Sequence, residues 1–169
     1  MNTTTQARAR SKDIGAKNAQ ADAVAMLKAD HVSVSKLFAD YESTRSVAKK
    51  QAIVAEVCAA LTVHATIEEE IFYPAVKAAL KDKLLVPGAT VEHAGVRDLI
   101  AQLEGKVPDG EMYDAKVKVL SEYVKHHVKE EQDEMFPKVK ASALDLAELG
   151  GRMTQRKAEL MSEHAAEVN

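Results

Sequence analysis

The sequence predicts an all-α protein: an up-down-up-down four-helix bundle with an additional C-terminal helix. Three observations predict it. Apolar residues recur at three- and four-residue steps in four separate stretches, the period of one helix face. These stretches run for ~15–30 residues with short connections, the arithmetic of antiparallel neighbours in a bundle. Aromatic residues make up only 4% of the 169-residue chain, Trp is absent, and no stretch alternates as a strand would.

Residues 1–20 are polar, with Thr3, Thr4 and Thr5 followed by Arg8, Arg10 and Lys12, and read as a disordered tail or a frayed helix. They lack the apolar segment of a secretory signal. A mitochondrial presequence is the sharper reading of the Arg and Thr content. Asp13 and the weak apolar face count against it, so the expected location is cytoplasmic.

Residues 21–140 read as the bundle. In the first helix Val24, Leu27, His31, Val34 and Phe38 share a face, and the helix ends near Ser43 and Thr44. Ser46 is placed to cap the second, where Ile53, Val57, Leu61, His64, Glu68 and Ile71 line up. Pro74 interrupts that run and predicts a kink, with continuation towards Leu80. Val86-Pro87-Gly88 reads as a break, and Thr90 as the cap of a third helix carrying His93, Val96, Ile100 and Leu103. A loop over residues 105–110 contains Pro108. The fourth helix carries Val117, Leu120, Val124, His127, Glu131 and Met135, with Pro137 near its end. Residues 141–169 read as a C-terminal helix packing on the bundle, helical from Leu144 to about His164. It is weakened at Gly150-Gly151 and docked through Met153 and Met161.

Composition bounds the function. Hydrophobic residues at 46% and charged residues at 29% suit one globular domain of ~150 residues. A net charge of −3 supplies no basic field for nucleic acid, and no apolar run approaches the ~18 residues of a membrane span. The single cysteine, Cys58, forms no intramolecular disulfide and no thiolate site by itself; it reads as a small buried hydrophobe. Tyr73, Tyr113 and Tyr123 read as core packing ahead of the alternative of a role in electron transfer, and His164 as a surface residue.

The six histidines carry the chemistry. Asp30-His31 on the first helix is echoed by Glu92-His93 on the third. His64 with Glu68 is echoed by His127 with Glu131, and each of these histidines stands ten residues before a proline, Pro74 or Pro137. The chain reads as two helical hairpins related by a pseudo-two-fold. His and Glu four residues apart point the same way from a helix. Two such pairs can face each other across the core, with His31 and His93 completing a ring of imidazoles and carboxylates. Such groups are costly to bury unless paired or metal-bound. A metal pair supplies positive charge for the glutamates and a bond for each imidazole. Nitrogen and oxygen donors without thiolate suit iron, manganese or zinc, and carboxylates that bridge favour a dinuclear centre. The doublets His126-His127 and Glu130-Glu131 leave a second register open. The ten-residue echo favours His127 and Glu131, with His126 and Glu130 as a parallel pair one step around the helix.

The segments "LKADHVSVSKLF", "LTVHATIEEEIFYPAV", "VEHAGVRDLI" and "YVKHHVKEEQDEMFPKV" together resemble the hemerythrin-like, or HHE cation-binding, domain family from about Val24 to Lys140. The resemblance implies a four-helix bundle holding two iron ions in an oxo- or hydroxo-bridged di-iron centre, with zinc or manganese as the other metals. It implies His31, His64, Glu68, His93, His127 and Glu131 as ligands, Glu68 and Glu131 being the bridging carboxylates. Oxygen-carrying members have a further His one turn after the third-helix His; here that position is Arg97, which counts against reversible oxygen carriage. The expected function is a non-haem di-iron protein that binds or reacts with O2, peroxide or NO, in sensing, storage or oxidative-stress protection. A peroxide-consuming, catalase- or peroxidase-like enzyme is one alternative. A zinc- or cation-binding structural or partner-binding bundle is another. The oligomeric state is not legible in the sequence.

Overall fold

A computed structural model of the chain describes residues 21–167. The tail expected over residues 1–20 lies outside the described residues. Helix α1 (Ala23–Ser43) starts at Asp22, whose Oδ1 accepts from the Ala25 N–H at 2.8 Å. Helix α2 (Val47–Ile67) starts at Ser46, whose hydroxyl accepts from the Lys49 N–H at 3.3 Å. It runs into a π-helical segment, Glu68–Phe72, and then α3 (Tyr73–Ala79). The chain therefore meets Pro74 with a widened turn. The Tyr73 N–H donates to the Glu68 carbonyl five residues back, and the ring of Pro74 follows in the first turn of α3, where the absence of an N–H costs little.

Helix α4 (Leu85–Leu103) begins earlier than its sequence suggests. Val86-Pro87-Gly88 lies inside its first turn instead of breaking the chain. The first N–H groups of a helix have no intrahelical partner, so a proline there removes nothing. The N-cap is Leu84, and two residues before it Asp82 Oδ1 accepts from Leu84 N (2.9 Å) and Leu85 N (3.1 Å). Thr90 sits within the helix and donates its hydroxyl to the Val86 carbonyl. The following loop is as expected, with Gly110 at φ 122° supplying the backbone turn into α5 (Glu111–Glu130). A second π segment, Glu131–Met135, leads to α6 (Phe136–Lys140) and repeats the first: the Phe136 N–H donates to the Glu131 carbonyl, and Pro137 follows.

Helix α1 packs on α2 and α4 on α5, giving two hairpins. Helix α7 (Leu146–Glu167) lies across α1, α2 and the first π segment. Gly150 is where it comes closest: a Cβ there would stand 2.7 Å from the Ala21 carbonyl oxygen, so only glycine fits. Met153 is buried at this crossing, but Met161, expected to help dock the helix, is exposed. The core has two apolar clusters. One gathers Leu27, Ile67, Phe72, Val76, Phe136 and Met153; the other gathers Phe38, Val57, Leu61, Ile100, Leu103 and Leu120. Between them lies a layer of buried polar side chains. The continuous rod Val47–Ala79 is long and apolar enough by length and composition to cross a membrane, which corrects the expectation that no apolar run approaches that length. Half of its most apolar window is buried against the other helices, as befits the central rod of a bundle.

Candidate metal centre

The polar layer is built by register. Heptad-like spacing on α1, α2, α4 and α5 brings His31, His64, His93 and His127 to the interior at one level, all buried. Glu68 and Glu131, the first residues of the two π segments, are 0% and 1% exposed. All six residues expected from the sequence converge.

They form two halves that share their carboxylates. In the first half His31 Nε2 and His64 Nε2 are 3.2 Å apart, His64 Nε2 is 3.2 Å from Glu68 Oε1, and His31 Nε2 is 3.3 Å from Glu131 Oε2. In the second half His93 Nε2 and His127 Nε2 are 3.2 Å apart. His93 Nε2 is 3.2 Å from Glu68 Oε2, and His127 Nε2 is 3.6 Å from Glu131 Oε1. Each glutamate thus turns one oxygen to each half.

The far nitrogen of every ring is held from outside, with the same two-fold logic. Asp30, next to His31, reaches His64 Nδ1 at 3.3 Å; Glu92, next to His93, reaches His127 Nδ1 at 2.6 Å. Glu69, after Glu68, reaches His93 Nδ1 at 2.8 Å; Gln132, after Glu131, reaches His31 Nδ1 at 3.2 Å. Lys157 of α7 pairs with Asp30, and the Arg97 guanidinium donates to Glu69 at 2.7 Å. Outer carboxylates of this kind fix the proton on Nδ1 and leave Nε2 as a lone pair.

The Nε2 atoms of four imidazoles, three of them held by outer carboxylates, and both oxygens of two carboxylates therefore converge in the buried interior. Glu68 Oε1 and Glu131 Oε2 are buried, and their only close polar neighbours among the described residues are the imidazoles of His64 and His31, at 3.2 and 3.3 Å without hydrogen-bond geometry. The field shows the same demand for positive charge. Burial opposes a charge on His64, yet the negative charge of Glu68 and the contacts with Asp30 and Glu68 overcome it and push the ring up to about 10. Burial likewise opposes ionisation of Glu68, but the facing histidines, His64 foremost, hold it well below the usual carboxylate range. Two orphaned carboxylate oxygens and converging imidazole nitrogens are the donor set that a pair of divalent or trivalent cations satisfies. The residues present fit a dinuclear metal group.

Sequence reasoning missed one member. Tyr73, expected to be core packing, puts its hydroxyl into the second half. It stands 3.0 Å from Glu131 Oε1, 3.3 Å from Glu68 Oε2 and His93 Nε2, and 3.4 Å from His127 Nε2. Burial, together with Glu68 and Glu131, raises its pKa well above that of an ordinary phenol, so it stays a donor to these carboxylates. The pseudo-symmetric residue is Phe136, which stacks on His31 with centroids 6.0 Å apart and has no hydroxyl to offer. The signal was available: in the echo of "IFYP" and "EMFP", the position before proline is Tyr once and Phe once. Arg97 stays outside, half-exposed. Tyr113 is buried as expected, while Tyr123 is 49% exposed. His126 and Glu130 lie on the surface. Cys58 is buried, and burial pushes its thiol up to about 11. His164 is half-buried beside Lys157.

A family model described as "Hemerythrin HHE cation binding domain" matches residues 22–139. The crystal structure of a hemerythrin HHE cation binding domain-containing protein from Mycobacterium kansasii is similar, with a TM-score of 0.74 and 25% identity. The match covers 88% of this chain and 92% of that one. A curated protein from a Nostoc species, described as a DNA nickase, is 25% identical over 119 residues, or 68% of this chain. The chain spans only 32% of that protein's length.

Proposed function

The chain belongs to the hemerythrin HHE cation-binding family, and on that footing we propose that it is a di-iron protein. Its centre binds or reacts with O2, peroxide or NO, in sensing, storage or protection from oxidative stress. The observation that carries this reading is the sharing of Glu68 and Glu131: each presents one oxygen to either half, as a dinuclear centre requires. His31 and His64 would hold one iron, and His93 and His127 the other. When bound, the iron pair supplies redox-active, Lewis-acidic positions for a small oxygen- or nitrogen-based ligand.

The chain's own residues prepare that chemistry. Asp30, Glu69 and Glu92 hold three of the imidazoles in the tautomer that leaves Nε2 free. A cavity of about 30 Å³ adjoins all four histidines, walled by Val34, Leu61, Ala65, Val96, Val124 and Val128. That is room for one or two water-sized molecules, and apart from the histidines and Asp30 its walls are apolar. The halves are unequal. Tyr73 adds a donor atom to the second, so the half around His31 and His64 is the more open to an incoming ligand.

Peroxide consumption is the second reading. The Tyr73 hydroxyl favours it, because it holds a proton at Oη, 3.0 Å from Glu131 Oε1, inside the centre where peroxide would be bound. One experiment serves both. Protein from iron-replete cells is expected to carry about two irons per chain, as bundle di-iron sites do, and the His64→Ala, Glu68→Ala double variant to lose most of it. Stoichiometric zinc without iron, or no metal, overturns the proposal. Oxygen evolution on adding peroxide, impaired in Tyr73→Phe at full iron content, selects the peroxide-consuming reading.

A further inference from the structure

The doublet on α5 leaves a second pair, His126 and Glu130, that the buried centre does not use. Their side chains are 64% and 49% exposed, on the face of α5 next to α4. Glu92 of α4 joins them. His126 Nε2 lies 3.3 Å from both Glu92 Oε1 and Glu130 Oε1, and one donor atom from each of the three residues falls within 4.8 Å of the others. One imidazole and two carboxylates from two helices thus point at a common position.

The pseudo-two-fold says what belongs there. In the first hairpin the residue equivalent to Glu92 is Asp30. One of its oxygens holds His64 Nδ1, and the other meets the ammonium of Lys157. In the second hairpin one oxygen of Glu92 holds His127 Nδ1 at 2.6 Å, and the other turns to His126. The residues equivalent to His126 and Glu130 are Val63 and Ile67, buried on the side of α2 where α7 lies. Where the first hairpin carries an apolar seat for a helix and a lysine from that helix, the second carries two metal-ligating side chains. A cation completes the outer carboxylate in the first hairpin, and the donors are arranged for one in the second. Two carboxylates brought this close repel each other unless positive charge lies between them.

We propose that Glu92, His126 and Glu130 form a second, surface site for a single first-row divalent cation, separate from the buried centre and joined to it through Glu92. One nitrogen and two carboxylate oxygens suit Zn2+, Mn2+ or Fe2+, with water filling the remaining positions. Glu92 serves both sites at once, its inner oxygen orienting His127 while its outer oxygen binds the surface cation. The outer site is thereby placed to sense or tune the inner one.

Calorimetric titration with Zn2+ of protein already carrying its buried metals tests this, with the metal content of each sample measured by mass spectrometry before and after. Wild-type protein is expected to take up one further Zn2+ per chain. His126→Ala and Glu130→Gln are expected to bind it at least tenfold more weakly with their buried metal content unchanged, and Glu122→Gln, at a neighbouring exposed acid, to bind like wild type. Absence of a further Zn2+ in wild type, or wild-type affinity in both His126→Ala and Glu130→Gln, overturns the proposal. The buried metal is counted separately, so failure of the di-iron reading is not confused with failure of this one.

Discussion

At the scale of the residue, the centre depends on pairs in which one member holds the other. Removing an outer partner leaves a buried imidazole free to turn, which in metal sites generally costs ~10–100-fold in affinity. Asp30→Asn and Glu69→Gln are accordingly expected to weaken metal binding by about that factor in competition with a chelator while leaving the helical content intact. Wild-type affinity in both would show that the outer carboxylates are incidental. Cys58 is the opposite case, a titratable group removed from chemistry by burial. With its thiol pushed from 9.0 to about 11, little thiolate exists at neutral pH, and a disulfide reagent is expected to modify Cys58 only after unfolding. The raised pKa also has a sign for stability. The folded state retains the proton longer than the unfolded chain, so this contribution is fully present below pH 9 and declines as pH rises towards about 11. A denaturant midpoint falling over that range in wild type, and less steeply in Cys58→Ala, checks it.

At the scale of the element, two adjacent glycines in α7 should behave oppositely. Gly150 packs against the backbone at the start of α1, and Ala there is expected to destabilise by about 1–3 kcal/mol through overpacking. Gly151 has open space around it, and Ala there is expected to stabilise by about 0.5–1 kcal/mol because it restricts the unfolded chain and suits a helix. Urea unfolding of the two single variants measures both. The same helix shows what the sequence could say. Its existence was legible from the chain, but which of two identical residues touches another backbone depends on a crossing made by residues over a hundred positions apart. The four bundle helices were legible because each keeps its apolar face in step with a histidine. Pro87 was misread because proline's meaning depends on the hydrogen bond it would interrupt, whereas the continuation past Pro74 towards Leu80 was read correctly. In the first turn of α4 there is none to interrupt, and a π segment precedes Pro74. The convergence of His31, His64, Glu68, His93, His127 and Glu131 followed from helical register. Tyr73 escaped because its hydroxyl crosses to the opposite hairpin, which periodicity within one helix does not reveal.

At the scale of the whole molecule, a charged layer divides the apolar core into two parts. Folding alone would leave Glu68 Oε1 and Glu131 Oε2 buried without a well-formed hydrogen bond, so cations that bind only the folded chain should supply part of its stability. Stripping metal with a strong chelator is expected to lower the melting temperature by several degrees or more, reversibly on adding iron; an unchanged transition would remove metal from the account of the fold. The contact between Lys157 and Asp30 carries this further. Asp30 holds His64 on its inner side and α7 on its outer side, so the docking of that helix and the strength of the centre are two readings of one equilibrium. A tighter hold on metal is then expected to slow the excursions of a helix that donates no ligand. Backbone amide exchange along residues 146–167 would then report, from the protein's exterior, how firmly its interior is occupied.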